Sequence, residues 1–377
     1  MKILLVPDSF KGSLTAVQAA QAMAEGIRDV DPLIEIVMLP AADGGEGTMS
    51  SLVDATDGTI VSVVVQDPLG RRVKASYGVL GDGETCVIEI AEASGLMLLT
   101  EEERNPLNTS TFGTGQLIVH ALDAGMRKFI IGLGGSATND AGAGILQALG
   151  MKLMDVNGNE LLQGGGSLGE LHTMDPTYFD ERIFKSDFLI ACDVENPLVG
   201  PDGASAIFGP QKGASSEMVD VLDTNLTKFA SVVEELKGIS LYGRKGAGAA
   251  GGAGGAFQAF FPCEMKRGIS VVLETMSLAE HLADADLILT GEGKTDSQTL
   301  SGKTPFGVAQ VANQVDKPII LISGVIDEES REIFAPLFTE LHSVAGGTIS
   351  SKESIDDAGY YLRLTTKKVM ENYLANH

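Results

Sequence analysis

Cysteine, histidine and basic residues are scarce in this 377-residue chain, and each shortage excludes a class of protein. The three cysteines, Cys86, Cys192 and Cys263, stand far apart without CxxC spacing. That pattern excludes a disulfide framework or a cysteine zinc site and fits the cytoplasm. The five histidines, His120, His172, His281, His342 and His377, fall outside the glycine-rich loops considered below and read as surface or helix positions. A histidine-centred mechanism is therefore disfavoured. Only 27 Lys and Arg face 51 Asp and Glu, a net charge of -24 that repels nucleic acid and anionic membranes. No apolar run approaches the ~20 residues that a membrane span needs. The opening MKILLVPDSFKGS is interrupted by Pro7 and Asp8 before an export signal could form. A soluble, cytoplasmic chain is expected, and the sequence leaves monomer and homodimer both open.

What is present is a globular composition, 44% hydrophobic, in a chain longer than one core usually serves, so two domains are expected. Ile3 to Val6 reads as a buried strand, Thr15 to Arg28 as a helix and Ile34 to Leu39 as a second strand. The loop Ala42 to Thr48 and another helix complete a βαβα start. The far end repeats the rhythm, with strands Leu287 to Thr290, Ile319 to Ser323 and Glu340 to Val344 and helices near Phe306 to Val315, Glu329 to Leu337 and Ile355 to Tyr373. Between them Ile60 to Gln66, Val73 to Leu80 and Cys86 to Ala91 are short alternating runs that suggest an antiparallel meander. The expected fold class is α/β. Residues 1–58 and 279–377 would form a discontinuous, doubly wound, mainly parallel-sheet (Rossmann-like) domain, residues 59–278 an inserted α+β domain, with an active site in the cleft between them.

In so acidic a chain a phosphate site must build local positive potential from lysines, backbone N–H groups or a metal ion. Five segments at strand ends, four of them glycine-bearing, meet that requirement: PDSFKGS (Pro7 to Ser13), ADGGEGT (Ala42 to Thr48), GLGGSATNDAGAG (Gly132 to Gly144), CDVENPL (Cys192 to Leu198) and TGEGKTDSQTLSGKT (Thr290 to Thr304). Lys11 stands where ligands bind in open α/β sheets, unless it is a solvated loop lysine with Ser13 or Thr15 capping the next helix. Asp43 is a candidate substrate or metal ligand, or part of an Asx-turn, and Glu46 reads as a helix N-terminal acid. Gly134, Gly135 and Ser136 offer N–H and hydroxyl donors, with Asn139 and Asp140 adding polar contacts, though a structural glycine turn explains them equally. Asp193 leaves the strand Phe188 to Cys192 where a carboxylate can take a hydroxyl proton or hold magnesium, with Asn196 a neighbouring ligand. Glu292, Lys294 and Asp296 join acid, base and glycine within a few residues. No segment matches the P-loop: Gly302-Lys303-Thr304 would need glycine where Ser297 stands, and Gly293-Lys294-Thr295 where Ile288 stands. Protein-kinase signatures are also absent. Gly246, Gly248 and Gly251 satisfy GxGxxG, but the preceding GISLYGRK is a poor strand, so a packed turn or helix start between domains is preferred to a dinucleotide site.

Taken together and in order, these segments resemble the class I glycerate kinases, the bacterial glycerate 2-kinase family that includes the kinases of glycolate and glucarate breakdown. PDSFKGS, ADGGEGT, GGSATNDAG, CDVENPL and TGEG followed by Asp296, Gln298, Gly302 and Lys303 carry the likeness nearly end to end. The resemblance implies a two-domain α/β enzyme that uses ATP and magnesium to phosphorylate D-glycerate, with 2-phosphoglycerate as product. On charge and loop position, Asp193 or Asp296 would orient or deprotonate the substrate hydroxyl while the other helps hold magnesium. Lys11 and Lys294 would offset charge on phosphate or carboxylate. Asp8, Ser9, Ser13, Asp43 and Asn196 are candidates for binding glycerate. Gly134, Gly135, Ser136, Gly291, Glu292, Gly293 and Lys294 are candidates for the nucleotide's phosphates. Two rivals stand beside this reading: an NAD(P)-dependent hydroxy-acid oxidoreductase, suggested by the doubly wound pattern and GAGAAG, and a non-catalytic small-acid binding module that the acid-and-lysine loops would equally serve.

Overall fold

A computed structural model describes residues 1–42, 44–45, 47–346 and 350–376. The candidate ligand Asp43, the helix acid Glu46 and His377 lie outside the described residues. The chain divides into two compact units, one comprising Met1–Asp43, Ser50–Thr56 and Arg267–His377, the other Gly44–Met49 and Asp57–Lys266.

The first unit is built on a five-stranded sheet in the order Glu340–Ser343, Ile319–Ser323, Leu287–Gly291, Lys2–Pro7, Glu35–Met38, with every pairing parallel. Ile3, Leu4, Leu5 and Val6 are all buried, which is why the strand reads as a continuous apolar run rather than an alternating one. Helix Ala16–Arg28 begins at Thr15, whose hydroxyl accepts from the Gln18 N–H while the Gln18 side chain accepts from the Thr15 N–H. It packs on helix Ala358–Asn376 closely enough that a Cβ at Gly26 would lie 2.5 Å from the Arg363 carbonyl oxygen. The single closing helix expected from Ile355 to Tyr373 is instead two, Ser351–Asp356 and Ala358–Asn376, because Asp357 leaves helical geometry (φ −131, ψ 50). From Lys2–Pro7 the chain first adds Glu35–Met38 on one side; Leu287–Gly291 and its successors extend the sheet on the other. Strand order therefore reverses between Lys2–Pro7 and Leu287–Gly291, and ligands of such sheets bind outside the carboxyl ends at that point.

The second unit has a six-stranded sheet in the order Cys263–Lys266, Asp187–Ala191, Lys128–Gly132, Thr85–Glu89, Arg72–Val79, Thr59–Gln66. The expected antiparallel meander holds only at this end of the sheet. Thr85–Glu89 pairs parallel with Lys128–Gly132, which pairs parallel with Asp187–Ala191, because helix Phe112–Asp123 carries the chain back across the sheet before the next strand. The small-residue run Gly246 to Ala256 lies within this unit rather than between domains, and Ala247, Ala249, Ala253 and Ala256 are fully buried. His342, read as a surface or helix residue, is on strand Glu340–Ser343 and its Nε2 is 2.6 Å from Glu340 Oε2. Among the described residues no helix is long and apolar enough to cross a membrane.

Candidate active site

At the switch point of the first unit, Pro7 is in register with Gly291 and the Asp8 N–H donates to the Gly291 carbonyl at 2.8 Å, so the two following loops leave the sheet side by side. They enclose a cavity of about 430 Å³ lined by Asp8, Ser9, Lys11, Ser13, Glu292, Gly293, Lys294 and Lys303, with Ser354 and Ile355 from helix Ser351–Asp356. Asp8 is buried and fixed: Oδ2 accepts from the Thr304 hydroxyl at 2.6 Å and Oδ1 from the Ser9 N–H. Glu292 is also buried, and its Oε1 accepts from the hydroxyls of Thr295 and Thr299 at 2.9 and 2.7 Å. Burial raises its carboxyl above the ordinary range and Asp8 adds to the rise, against the opposing pull of Thr299, Lys303 and Thr295. Lys303 Nζ lies 3.6 Å from Glu292 Oε2 and 3.8 Å from Asp296 Oδ1. Lys294 bridges Asp296 at 3.4 Å and Asp327 at 3.1 Å with its side chain half in solvent. Burial pushes the Asp296 carboxyl up, but Lys303, the Gln298 N–H and Lys294 outweigh it and hold the group below its ordinary value. Lys11 is exposed at the cavity, and among the described residues no carboxylate forms an ion pair with it.

The glycines here do more packing than the sequence suggests. A Cβ at Gly291 would lie 2.1 Å from the Ile322 carbonyl oxygen, so the space expected for a phosphate oxygen at Gly291 is filled by the neighbouring strand. Gly293 does face the cavity, and a Cβ there would press on the Lys11 N at 3.1 Å.

In the second unit the loop after Lys128–Gly132 exposes Gly134 and Gly135, the latter in the left-handed region (φ +74), and then buries Ser136 through Asp140. The Asp140 carboxylate, fully buried, accepts from the Thr111 N–H and hydroxyl and from the N–H groups of Gly142 and Gly144. Burial raises its pKa and these bonds oppose the rise. Asp140 therefore anchors the loop rather than contacting a ligand, and Asn139 is tied to Ser205 at 3.1 Å. Lys212 Nζ, a residue that sequence reasoning missed, donates to Ser136 Oγ at 2.9 Å and to the Thr138 carbonyl at 2.7 Å. Asp193 is exposed just beyond strand Asp187–Ala191, and Asn196 donates to the Asp202 carbonyl at 2.9 Å. The GxGxxG glycines serve this loop by packing: a Cβ at Gly251 would lie 1.9 Å from the Thr138 carbonyl oxygen and one at Gly248 would lie 2.2 Å from that of Pro197. Backbone fills the space that a dinucleotide would need.

The predicted residues thus fall into two sets. Asp8, Ser9, Lys11, Ser13, Glu292, Gly293 and Lys294 share one cavity, with Asp296 beside its lysines. Gly134, Gly135, Ser136, Asp193 and Asn196 belong to the other unit. Thr295, Thr299, Ser323 and Thr304 were missed because single hydroxyl residues carry no spacing pattern; the Thr295 and Ser323 hydroxyls meet at 2.6 Å behind Glu292.

A doubly wound unit with lysines and carboxylates converging at its switch point defines an α/β protein equipped to handle phosphate groups. Comparison with known proteins narrows the class. The model of the glycerate kinase family matches residues 3–374, and the chain belongs to that family. The glycerate kinase of Bacillus subtilis (strain 168) is 48% identical over 369 residues, 98% of this chain and 97% of that one. The glycerate 2-kinase of Escherichia coli (strain K12) is 50% identical over 329 residues, 87% of this chain and 86% of that one. A solved structure from Salmonella typhimurium LT2, provisionally assigned as a glycerate kinase 2, superposes with a TM-score of 0.91 at 45% identity, covering 100% of this chain and 99% of that chain. The α/β reading and the family resemblance both stand, and neither the oxidoreductase nor the non-catalytic reading finds support.

Proposed function

We propose that this protein transfers the γ-phosphoryl group of ATP to D-glycerate, forming 2-phosphoglycerate and ADP. The observation that carries the proposal is the cavity in which Lys11, Lys294 and Lys303 stand against Asp8 and Glu292 at the switch point of a chain belonging to the glycerate kinase family. Phosphoryl transfer needs positioning, charge neutralisation and a base beside the attacking hydroxyl. Lys11 and Lys294 neutralise phosphate or carboxylate charge, and Asp8, Ser9, Ser13, Asp43 and Asn196 hold the glycerate. Gly134, Gly135, Ser136, Glu292 and Gly293 serve the nucleotide's phosphates. Asp193 and Asp296 divide the remaining roles, one receiving the hydroxyl proton and the other helping hold magnesium.

The donor set fits magnesium in a particular way. Among the described residues no three His, Cys, Asp or Glu side chains converge into a metal cage. Mg²⁺ in kinases needs none, being held by one or two carboxylates together with phosphate oxygens and water, and there it neutralises charge on the transferring group. A cytoplasmic location accompanies the reading, in keeping with three cysteines that form no disulfide. The test is ADP release from purified protein mixed with ATP, magnesium and D-glycerate, with phosphorus NMR of the product. Expected is ADP in step with 2-phosphoglycerate. No ADP, or a nicotinamide absorbance change with hydroxypyruvate instead, overturns the proposal.

A further inference from the structure

Lys212 is a lysine only 2% exposed, at the end of the short 3-10 turn Pro210–Lys212. Burying an ammonium ion costs several kcal/mol unless its donors are well used. Its hydrogen-bond partners are a hydroxyl and a carbonyl, Ser136 Oγ and Thr138 O, and no carboxylate of the described residues lies within ion-pair distance of it. The turn that carries it has little freedom. A Cβ at Gly213 (φ +91) would lie 2.2 Å from the Arg104 carbonyl oxygen, and one at Gly209 would lie 2.3 Å from that of Ser205, itself hydrogen-bonded to Asn139. The lysine is therefore held rigidly against the inner side of the loop whose next residues outward, Gly134 and Gly135, are exposed.

A serine hydroxyl has one proton and two lone pairs. With Lys212 donating into one lone pair, the Ser136 proton is the group left to be given away. We propose that Lys212 is a positioning residue for phosphate recognition: bonding to Ser136 Oγ from the interior, it turns the Ser136 hydroxyl into an outward hydrogen-bond donor beside the Gly134–Gly135 turn, ready for a phosphate oxygen of ATP. The Lys212 N–H bond also polarises the hydroxyl and strengthens its own donation. This inference rests on the reading of that loop as a phosphate site and assigns the residue that makes it one.

The experiment is a double-mutant cycle on KM for ATP with D-glycerate saturating. Ser136→Ala and Lys212→Ala each raise KM for ATP by about tenfold, the scale of one lost charge-assisted contact, with KM for glycerate held within about twofold. The double variant is no worse than either single one, because the two groups act as a unit. Ethylammonium added to Lys212→Ala restores part of the loss. Additive effects overturn the proposal. So does an unchanged ATP KM in Ser136→Ala, a result that holds whether or not the lysine variants fold. Wild-type ADP release accompanying either outcome leaves the kinase reading intact, whereas its absence condemns the reading itself.

Discussion

In the unit built on Lys2–Pro7, the buried carboxylate of Glu292 has Lys303 3.6 Å away, and that lysine in turn reaches Asp296 at 3.8 Å. In the other unit a buried lysine, Lys212, is held by a hydroxyl and a carbonyl. The first arrangement is a set of loose ion pairs at the mouth of a cavity. Lys303 and Lys294 are paired with protein carboxylates at 3.1 to 3.8 Å in exposed or half-exposed positions, while Lys11 has no such pair among the described residues, so an arriving phosphate can compete for all three. The second is a single charge held at hydrogen-bond distance behind a loop, where it can act on a ligand only through the groups it orients. The comparison teaches that an acidic protein can supply positive potential either by exchangeable pairing at the surface or by fixed polarisation from within, and the two respond differently to substitution.

The largest expected effect tests whether both units contribute to chemistry. Asp296→Asn in one and Asp193→Asn in the other are each expected to lower kcat by about 10² or more, about 3 kcal/mol in barrier, with melting temperatures unchanged. Near wild-type turnover in both would remove the carboxylates from the mechanism; a loss in only one would assign the chemistry to that unit.

The next effect separates glycines that pack from glycines that merely turn. Gly251→Ala in the second unit meets the Thr138 carbonyl oxygen at 1.9 Å and also sits at φ +66, so about 2 kcal/mol of stability should be lost. Gly12→Ala in the first unit, at φ +83 with nothing within 4 Å, pays only the backbone conformation, and about 1 kcal/mol is expected. Urea midpoints of the two variants measure the difference. Equal losses would mean that contact with the loop carbonyl contributes nothing.

How much of this was legible in the sequence follows the same division. Strands such as Ile3 to Val6 and Leu287 to Thr290 are buried on both faces, so their uninterrupted apolar runs announced a parallel sheet, and the glycine-and-charge segments following them marked the cavity. Capping of the first helix was equally readable, since Thr15 and Gln18 stand at the spacing a capping box requires. The parallel pairing of Thr85–Glu89 was not readable, because a short strand's partner depends on where helix Phe112–Asp123 returns the chain. Nor was Gly291, whose requirement for glycine comes from Ile322, thirty-odd positions on, and not from a ligand. Lys212 was the least readable of all. In GPQKGAS it looks like an ordinary turn lysine, and only the flanking Gly209 and Gly213 hint at a turn too tight to swing the side chain outward.

Lys11→Ala probes the cavity at the lysine that no described carboxylate pairs. A rise of about tenfold in KM for ATP or for glycerate is expected, about 1.4 kcal/mol, with kcat little changed, as for a group that binds ground state and transition state alike. Unchanged kinetics would return Lys11 to the role of a solvated loop lysine.

The smallest effect, a pH slope, distinguishes the two units by sign. Burial pushes the Lys212 ammonium down to about 7, with Asp140 opposing, whereas the unfolded chain keeps a lysine near 10.5. Between those values the unfolded state holds a proton that the native state lacks, so stability rises with pH, by about 1 kcal/mol between pH 7 and 8 for a group titrating near 7. Lys212→Met should abolish that rise when its urea unfolding is compared with wild type at both pH values. For Glu292 the sign reverses. Its raised native pKa means that the native state keeps a proton the unfolded chain has lost, so this group's contribution to stability falls as pH climbs from the ordinary carboxyl value through the raised one. Glu292→Gln should flatten that fall. If Lys212→Met keeps the wild-type slope, the lysine holds its proton through this range, and burial does not set it apart from the exchangeable pairs of the other unit.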